Sequence, residues 1–307
     1  MIVAHPNDDL GSAVWVDLCD PTPEEIARVR AATGLRVPQK DEISEIESSS
    51  RLAFADGAYY VSAPLVAQQD DGELTLSSVG FVLSARVLLT VRFGRLRSFD
   101  AAHESCGAQA VRTAEEAFLR ICEIVIDRSA DKLEQAGAEC DDLSRTTFRG
   151  STDSRPARDL QAVLRRIGIV ADRASRIRDA LLGLGRIAAF VTESILEGAP
   201  VVSAARMKAI RSDIASLAEY EAQLMGKVQF TLDATLGFIN VEQNEIVKTL
   251  TIASVVGIPP VLVAGIYGMN FHAMPELAWP LGYPMALGLI VVSALLPLWW
   301  FKRRGWM

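Results

Sequence analysis

The sequence predicts an α/β body, a mixed sheet flanked by helices, followed by one very long helix and an all-α membrane domain of two spans. Three observations predict it. Over the first hundred residues, short β-branched and aromatic runs alternate with turn signals. From Val201 to the next proline, Pro259, only the single glycines at 226, 237 and 257 interrupt a helical pattern. Two apolar runs then follow, Ile246 to Tyr267, with Lys248 near its start, and the uncharged Pro284 to Phe301.

The elements follow in chain order. Val14 to Leu18 alternates as a strand does. Thr22-Pro23-Glu24-Glu25 is a helix start: Thr22 caps, Pro23 suits the first helical position, and Glu25 bonds back to the cap. The runs 58–68, 74–84 and 86–94 read as strands of one mostly antiparallel or mixed sheet, separated by Asp-Gly or Ser-Ala breaks. From Thr113 to about Phe148 the period turns helical, with Ala117, Phe118, Ile121, Cys122, Val125 and Ile126 three and four apart. "RGSTDSRP" breaks it. A second helical stretch runs from Ala157 to about Val191, and "EGAP", ending at Pro200, breaks that. Residues 1–200 thus form an α/β domain carrying a helical hairpin.

The pattern from Val201 to about Tyr267 spells a helix of roughly 100 Å. No compact domain has room for it, so it reads as a rod joining a cytosolic body to something distant. That something is a bilayer. After Lys248 the first run is long enough to span, and spanning helices tolerate a Pro259-Pro260 pair. The second run is about as short as a span can be, with Trp299-Trp300 as an interfacial anchor. A buried helical hairpin of a soluble protein fits the aromatic and basic flanks poorly. The organisation is therefore 201–245 for the cytosolic part of the rod, 246–268 and 284–301 for the spans, 269–283 for an extracytoplasmic loop, and 302–307 for a basic tail. Lys302, Arg303 and Arg304 follow the second span, and the loop between the spans has no Lys or Arg. Both termini then face the cytosol of a plasma (inner) membrane protein.

Composition narrows the function classes. A formal net charge of -7 argues against a general nucleic-acid binder. The basic cluster from Arg155 to Arg186 is interleaved with Leu, Ile and Ala, as in a solvated helix face or an inter-helix contact. The N-terminus lacks a basic start followed by a long apolar stretch, so no signal peptide is expected. Cys19, Cys106, Cys122 and Cys140 form no C-x-x-C pair and suit reduced thiols in a cytosolic domain. An anchored enzyme or sensor needs a catalytic constellation, yet His5 and His103 fall in loop-like stretches without a nucleophile.

Two spans per chain cannot enclose a wide polar path, so a permeation route needs several copies about an axis. The rod offers a face for it. Asp233, Gly237, Asn240, Asn244, Val247, Thr251, Ser254, Ile258, Val261 and Gly265 are three or four apart and share one stripe. Around an axis each becomes a ring. Asn270 lies just past the stripe, where a ring of neutral amide oxygens suits a strongly hydrated ion. Mg2+ surrenders water reluctantly, and amides bond its retained shell without stripping it. Release is as necessary as entry, which disfavours a carboxylate ring there. Glu276 in the outer loop either attracts cations or makes a structural loop contact. His272 reads as an ordinary loop residue.

"YGMN", Tyr267 to Asn270, followed by "MPEL", Met274 to Leu277, resembles the CorA family of magnesium transporters. The double apolar run, the basic tail, the proline in the first span, "NEIVKTLTI" and "WVDLCDPTPEE" agree with it. The resemblance is close from about Asp233 to the end and looser elsewhere. It implies a funnel-shaped homopentamer, each chain meeting four identical copies in a lipid bilayer, with no organic cofactor and no enzyme activity. It implies a selectivity filter at Gly268, Met269 and Asn270, with the ion held at Asn270 through its water. Gly265 lines the upper pore, Ile258, Leu250 and Val247 form hydrophobic constrictions, and Asn244 and Asp233 form polar rings below, Asp233 being a second candidate ion contact. Ile258 and Val247 stand where the family often has Met. Val261 replaces a common Thr and loses a hydroxyl. At the family's inhibitory site in the long helix stands Ala209, with Asp213 one turn on, so the sensing residues stay unassigned. The implied activity is influx of Mg2+, with Co2+ or Ni2+, gated by cytosolic Mg2+ acting on the equilibrium between states. A divalent ion gains about 4.6 kcal/mol per 100 mV, so no ATP is needed, and no phosphate-cradling glycine loop contradicts this. Dewetting at the apolar rings closes the path. The alternative is a zinc transporter of the same superfamily.

Overall fold

The computed structural model describes residues 1–7, 9–44, 51–68, 73–149, 156–193, 202–269 and 274–306. They divide into two compact units, Met1–Ser154 with Gln161–Leu232, and Arg155–Leu160 with Asp233–Met307.

The first unit is built on a six-stranded sheet: β1 (Ile2–His5), β2 (Trp15–Cys19), β3 (Leu52–Ala55), β4 (Ala58–Gln68), β5 (Leu74–Ser84) and β6 (Leu88–Arg92), in the order β1-β2-β6-β5-β4-β3. Only β2 and β6 pair in parallel, so the sheet is mixed, as expected. Strand alternation divides the core between the two faces. Trp15, Tyr59, Phe81 and Leu88 enter one cluster, while their chain neighbours Val16, Tyr60, Val82 and Leu89 enter the other.

The second face is covered by α1 (Pro23–Thr33) and α2 (Lys40–Ser44) through Val29 and Ile43. The expected capping box is present. Thr22 Oγ1 accepts from the Glu25 amide at 3.3 Å, and Glu25 Oε2 accepts from the Thr22 amide at 3.0 Å. Gly34 ends α1 with φ +75, the left-handed region that favours glycine.

The first face carries α3 (Arg97–Ala108), α4 (Ala114–Arg149), α5 (Pro156–Glu193) and the N-terminal part of α6 (Ala204–Tyr267). A side chain at Gly183 would meet Pro64 Cδ at 2.8 Å and Ala63 Cβ at 3.0 Å, so only glycine lets α5 lie this close to β4. The basic residues of α5 make the inter-helix contacts expected of them. Arg166 and Arg173 reach Glu139 of α4 at 3.3 and 3.1 Å. All four cysteines are free, three of them buried.

Among the described residues of the first unit, β1, β3, α2 and α3 escaped the sequence reading. Two of them correct the view of His5 and His103 as loop residues. His5 ends β1 and His103 sits on α3.

The second unit holds the remainder of α6, a 3-10 turn (Pro275–Ala278) and α7 (Gly282–Arg303). At 64 residues α6 is about 96 Å long. It runs through Pro259 and Pro260 without a break. The second apolar helix begins two residues before the expected Pro284 and ends two after Phe301.

Candidate ion pathway

α6 is helical at every position from Asp233 to Gly265, so the three- and four-residue spacing of the stripe places these residues on one face over about 48 Å. Asp233, Gly237, Asn240, Asn244 and Gly265 are exposed, and Thr251 and Ser254 are half-buried. The apolar members stand in the open: Val247 is 60% exposed, Ile258 64% and Val261 71%, and Leu250 beside the stripe is 66% exposed. Ile246 and Leu262, elsewhere around the same helix, are as bare. A helix apolar all round and unburied needs an apolar solvent or further copies of itself. α6 and α7 are the two helices, among the described residues, long and apolar enough to cross a membrane.

Local chemistry equips the face for a hydrated cation. Thr251 Oγ1 donates to the Val247 carbonyl at 2.7 Å. Its lone pairs remain to accept from water, whose hydrogens point outward from a cation's shell. Pro259 and Pro260 bring no N–H, so the carbonyls of Val255 and Val256, four residues earlier, have no helical donor. Val261 adds no hydroxyl to the face.

At the C-terminal end of α6, Gly268 N–H donates to the Ala264 carbonyl at 2.9 Å and Met269 N–H to that of Ile266 at 3.2 Å. These bonds carry the helical turn to the edge of the expected filter. Asn270 and His272 lie outside the described residues. The described residues continue from Met274. Glu276 is exposed on the 3-10 turn and shares a depression with Val263, Ile266, Tyr267, Met274 and Leu289. A side chain on Gly282 would collide with the Glu276 carbonyl oxygen, so glycine there allows α7 to start tight against the turn. At the other end of α7, Arg303 lies over Trp299 at 5.4 Å and Arg304 over Trp300 at 4.6 Å. Indole and guanidinium together suit a membrane–water boundary.

In the first unit, acids from two helices face one another. Asp127 of α4 is pushed above the usual carboxylate range, first by partial burial and then by Asp131, Glu123 and Asp213 of α6. Arg206 offsets part of this charge by pairing with Glu123 at 2.8 Å. Asp213 therefore has acidic company that no linear pattern reveals. Among the described residues no group of three or more His, Cys, Asp or Glu side chains is arranged to hold a metal.

A second network was missed from the sequence. Asp17 is buried and accepts from Thr90 Oγ1 (2.7 Å), from Arg92 (Nε at 3.1 Å, the terminal nitrogen at 2.9 Å) and from His103 Nε2 (2.9 Å). Burial alone would raise its pKa, but the bonds from His103 and Arg92 outweigh it and hold the carboxyl low. His103 Nδ1 lies 2.8 Å from His5 Nε2. Cys19 Sγ contacts Asp20 and the Gly94 carbonyl, and burial pushes its thiol pKa up. The parallel pairing of β2 with β6 sets Asp17 opposite Thr90.

Comparison with known proteins agrees with this architecture. The family described as "CorA-like Mg2+ transporter protein" matches residues 11–303. The magnesium transport protein CorA of Pasteurella multocida is 32% identical over 305 residues, covering 99% of this chain and 95% of the relative. That of Haemophilus influenzae is 32% identical over 301 residues, covering 97% and 94%. The complete structure of the CorA magnesium transporter from Methanocaldococcus jannaschii superposes with a TM-score of 0.73 at 19% identity, over 95% of this chain and 91% of that one, and shares the fold. By the length of the match and the identity of these relatives, the chain belongs to the CorA-like Mg2+ transporter family.

Proposed function

We propose that this chain conducts Mg2+, and with it Co2+ or Ni2+, into the cytosol down the membrane potential, as a homopentamer in which each chain meets four identical copies. The observation that carries the reading is the unbroken stripe of α6 from Asp233 to Gly265, leading to Gly268 and Met269. Five such stripes about an axis line a conduit with polar, apolar and small-residue rings in series.

The ion crosses with most of its water. Asn270 amides bond the shell at the mouth, Glu276 raises the local cation concentration, and Asp233 receives the ion at the cytosolic end. Val247, Leu250 and Ile258 make the rings that close by dewetting. The spans are 246–268 and 284–301, with both termini in the cytosol and the loop 269–283 outside the inner membrane. Cytosolic Mg2+ closes the path by binding between acidic faces of neighbouring copies, and the Asp127–Asp213 face is the one this chain offers. Mg2+ transport by the 32%-identical relatives supports the choice of ion.

The test is flux into liposomes holding the purified protein, with Mg2+, Co2+ and Zn2+ offered separately under an imposed potential. Mg2+ entry that rises with inside-negative potential is expected. Entry of Zn2+ alone, or flux that follows a proton gradient and ignores the potential, assigns the chain to zinc transport.

A further inference from the structure

A cavity of about 220 Å³ lies within the first unit, where the first turn of α3 meets the middle of α4 and the neighbouring ends of β4 and β5. Its apolar wall is Val66 of β4, Leu74 of β5, Val125 of α4 and Ile177 of α5. Its charged wall is Arg97 of α3 with Arg128, Asp131 and Lys132 of α4. Three cations less one carboxylate leave two net positive charges around the space.

These cations are not matched by the chain itself. Arg97 and Arg128 make no hydrogen bond or ion pair with another described residue. The Lys132 ammonium reaches only neutral oxygens, Gln68 Oε1 at 3.3 Å and Gln135 Oε1 at 3.5 Å. Asp131 forms an ion pair with none of the three, and its charge is felt instead by Asp127.

Ser98 is a second, independent sign of a missing ligand. It lines the cavity, is only 7% exposed, and its hydroxyl has no hydrogen-bond partner. A buried hydroxyl left unbonded is destabilising until something bonds it. The backbone beside it is short of acceptors too. Bonds in the first turn of α3 begin at Phe99, whose N–H donates to the Leu96 carbonyl at 2.9 Å, so the amides of Arg97 and Ser98 have no backbone acceptor. Leu96, at the cap position, has no side chain to bond them.

One kind of ligand answers all of these groups together. A phosphomonoester carries close to two negative charges above its second pKa of about 6, which matches the net charge of the walls. Its oxygens accept from guanidinium, ammonium and hydroxyl donors, and the start of a helix favours it further. An apolar cavity of about 150 Å³ holds benzene, so the space here admits a phosphate with an organic body about one ring in size. Asp131 opposes a third negative charge and so disfavours polyphosphate chains. We propose that this cavity binds a small phosphomonoester, its phosphate held by Arg97, Ser98, Arg128 and Lys132 and its organic part against Val66, Leu74, Val125 and Ile177.

Isothermal titration calorimetry on the full-length protein in detergent, without Mg2+ and near about pH 8, tests this, with phenyl phosphate as the probe and protein-free micelles as the blank. Saturable binding of one phenyl phosphate per chain is expected. Inorganic phosphate leaves the apolar wall unused and benzoate brings a single charge, so each should bind at least about tenfold more weakly. Arg97→Gln and Arg128→Gln should each weaken phenyl phosphate at least about tenfold, and Ser98→Ala at least about fivefold. Both arginines are exposed, and Ser98→Ala removes a stranded hydroxyl, so the thermal transition without ligand should not fall in any of the three. Arg145→Gln, on α4 but outside the cavity, should leave the affinity as it was. Absence of saturable binding overturns the proposal. So do affinities for inorganic phosphate or benzoate equal to that for phenyl phosphate, full affinity in the Arg97, Arg128 and Ser98 variants, or an equal loss in Arg145→Gln.

Discussion

At Asp17 one buried carboxylate of β2 binds β6 and α3 together, and its removal gives the clearest single-residue prediction. Asp17→Asn leaves the buried Arg92 guanidinium without its counter-charge, while His103 and Thr90 lose an ionic acceptor. Breaking a buried pair from one side costs about 3 to 5 kcal/mol. Chemical denaturation of the full-length protein should show a loss of that size in the first unit. The pH dependence has a definite sign. Asp17 is held below its ordinary value in the folded chain, so its contribution is complete above the unfolded carboxylate pKa, about 3.9, and is lost as the pH falls below it. The natural chain should therefore lose stability below about pH 4 more steeply than D17N. In the proposed pentamer the residue that tests the mouth of the path is Asn270. On that reading Asn270→Ala removes five amides from the hydration shell, and Mg2+ flux in liposomes should fall by at least about tenfold with the assembly intact. Flux equal to that of the natural chain removes Asn270 from the filter.

Among elements, α6 was legible in the sequence because the traits that make a helix long are local ones. Between Pro200 and Pro259 nothing removes a backbone donor, and the apolar run that follows keeps no charge after Lys248. β4 and β5 were legible to the residue, because two eleven-residue β-branched runs leave no competing period. β1 and β3 were not, since four residues are too few for any period to show. α3 hid behind Ser98, Asp100, His103 and Gly107, which favour a loop when read alone; burial of Phe99, Ala102 and Cys106 against the sheet makes it a helix. The Asp17–His103–His5 network was invisible for the same reason, being assembled from β1, β2, β6 and α3 by pairing rather than by spacing. The stripe of α6 gives this scale its own prediction. Thr251 spends its hydrogen on the carbonyl one turn back and keeps its lone pairs for water. A Thr at 261 would do the same, so Val261→Thr should add a ring of acceptors to an apolar stretch of the path. Mg2+ flux in liposomes should rise at least about twofold. A fall in flux places 261 off the water-lined face.

In the whole molecule, the proposed regulation gives the acids of α4 and α6 the task of joining the transported ion to the state of the path. The pKa of Asp127 is raised by partial burial and by Asp131, Glu123 and Asp213, so its charged form is penalised in the folded chain. That penalty is complete at neutral pH and fades as the pH falls through the raised value. A divalent cation relieves the same repulsion without protonation, and a cation shared between two copies relieves it only while those copies stay together. Bound Mg2+ thus favours whichever arrangement brings the acidic faces closest, and by linkage that arrangement is the one it stabilises. Since entry raises cytosolic Mg2+, a closed arrangement makes the device self-limiting. At about a hundred times its dissociation constant, Mg2+ should add about 2.7 kcal/mol to the assembled protein, visible near pH 7 as a raised thermal transition. In Asp127→Asn with Asp213→Asn the metal-free protein should already be more stable, because the repulsion is gone. Added Mg2+ should then move the transition little, and flux should continue at cytosolic Mg2+ levels that shut the natural chain. If the double variant keeps the full Mg2+ shift and still closes, the regulatory ion binds elsewhere and the acidic face is only a solvated surface.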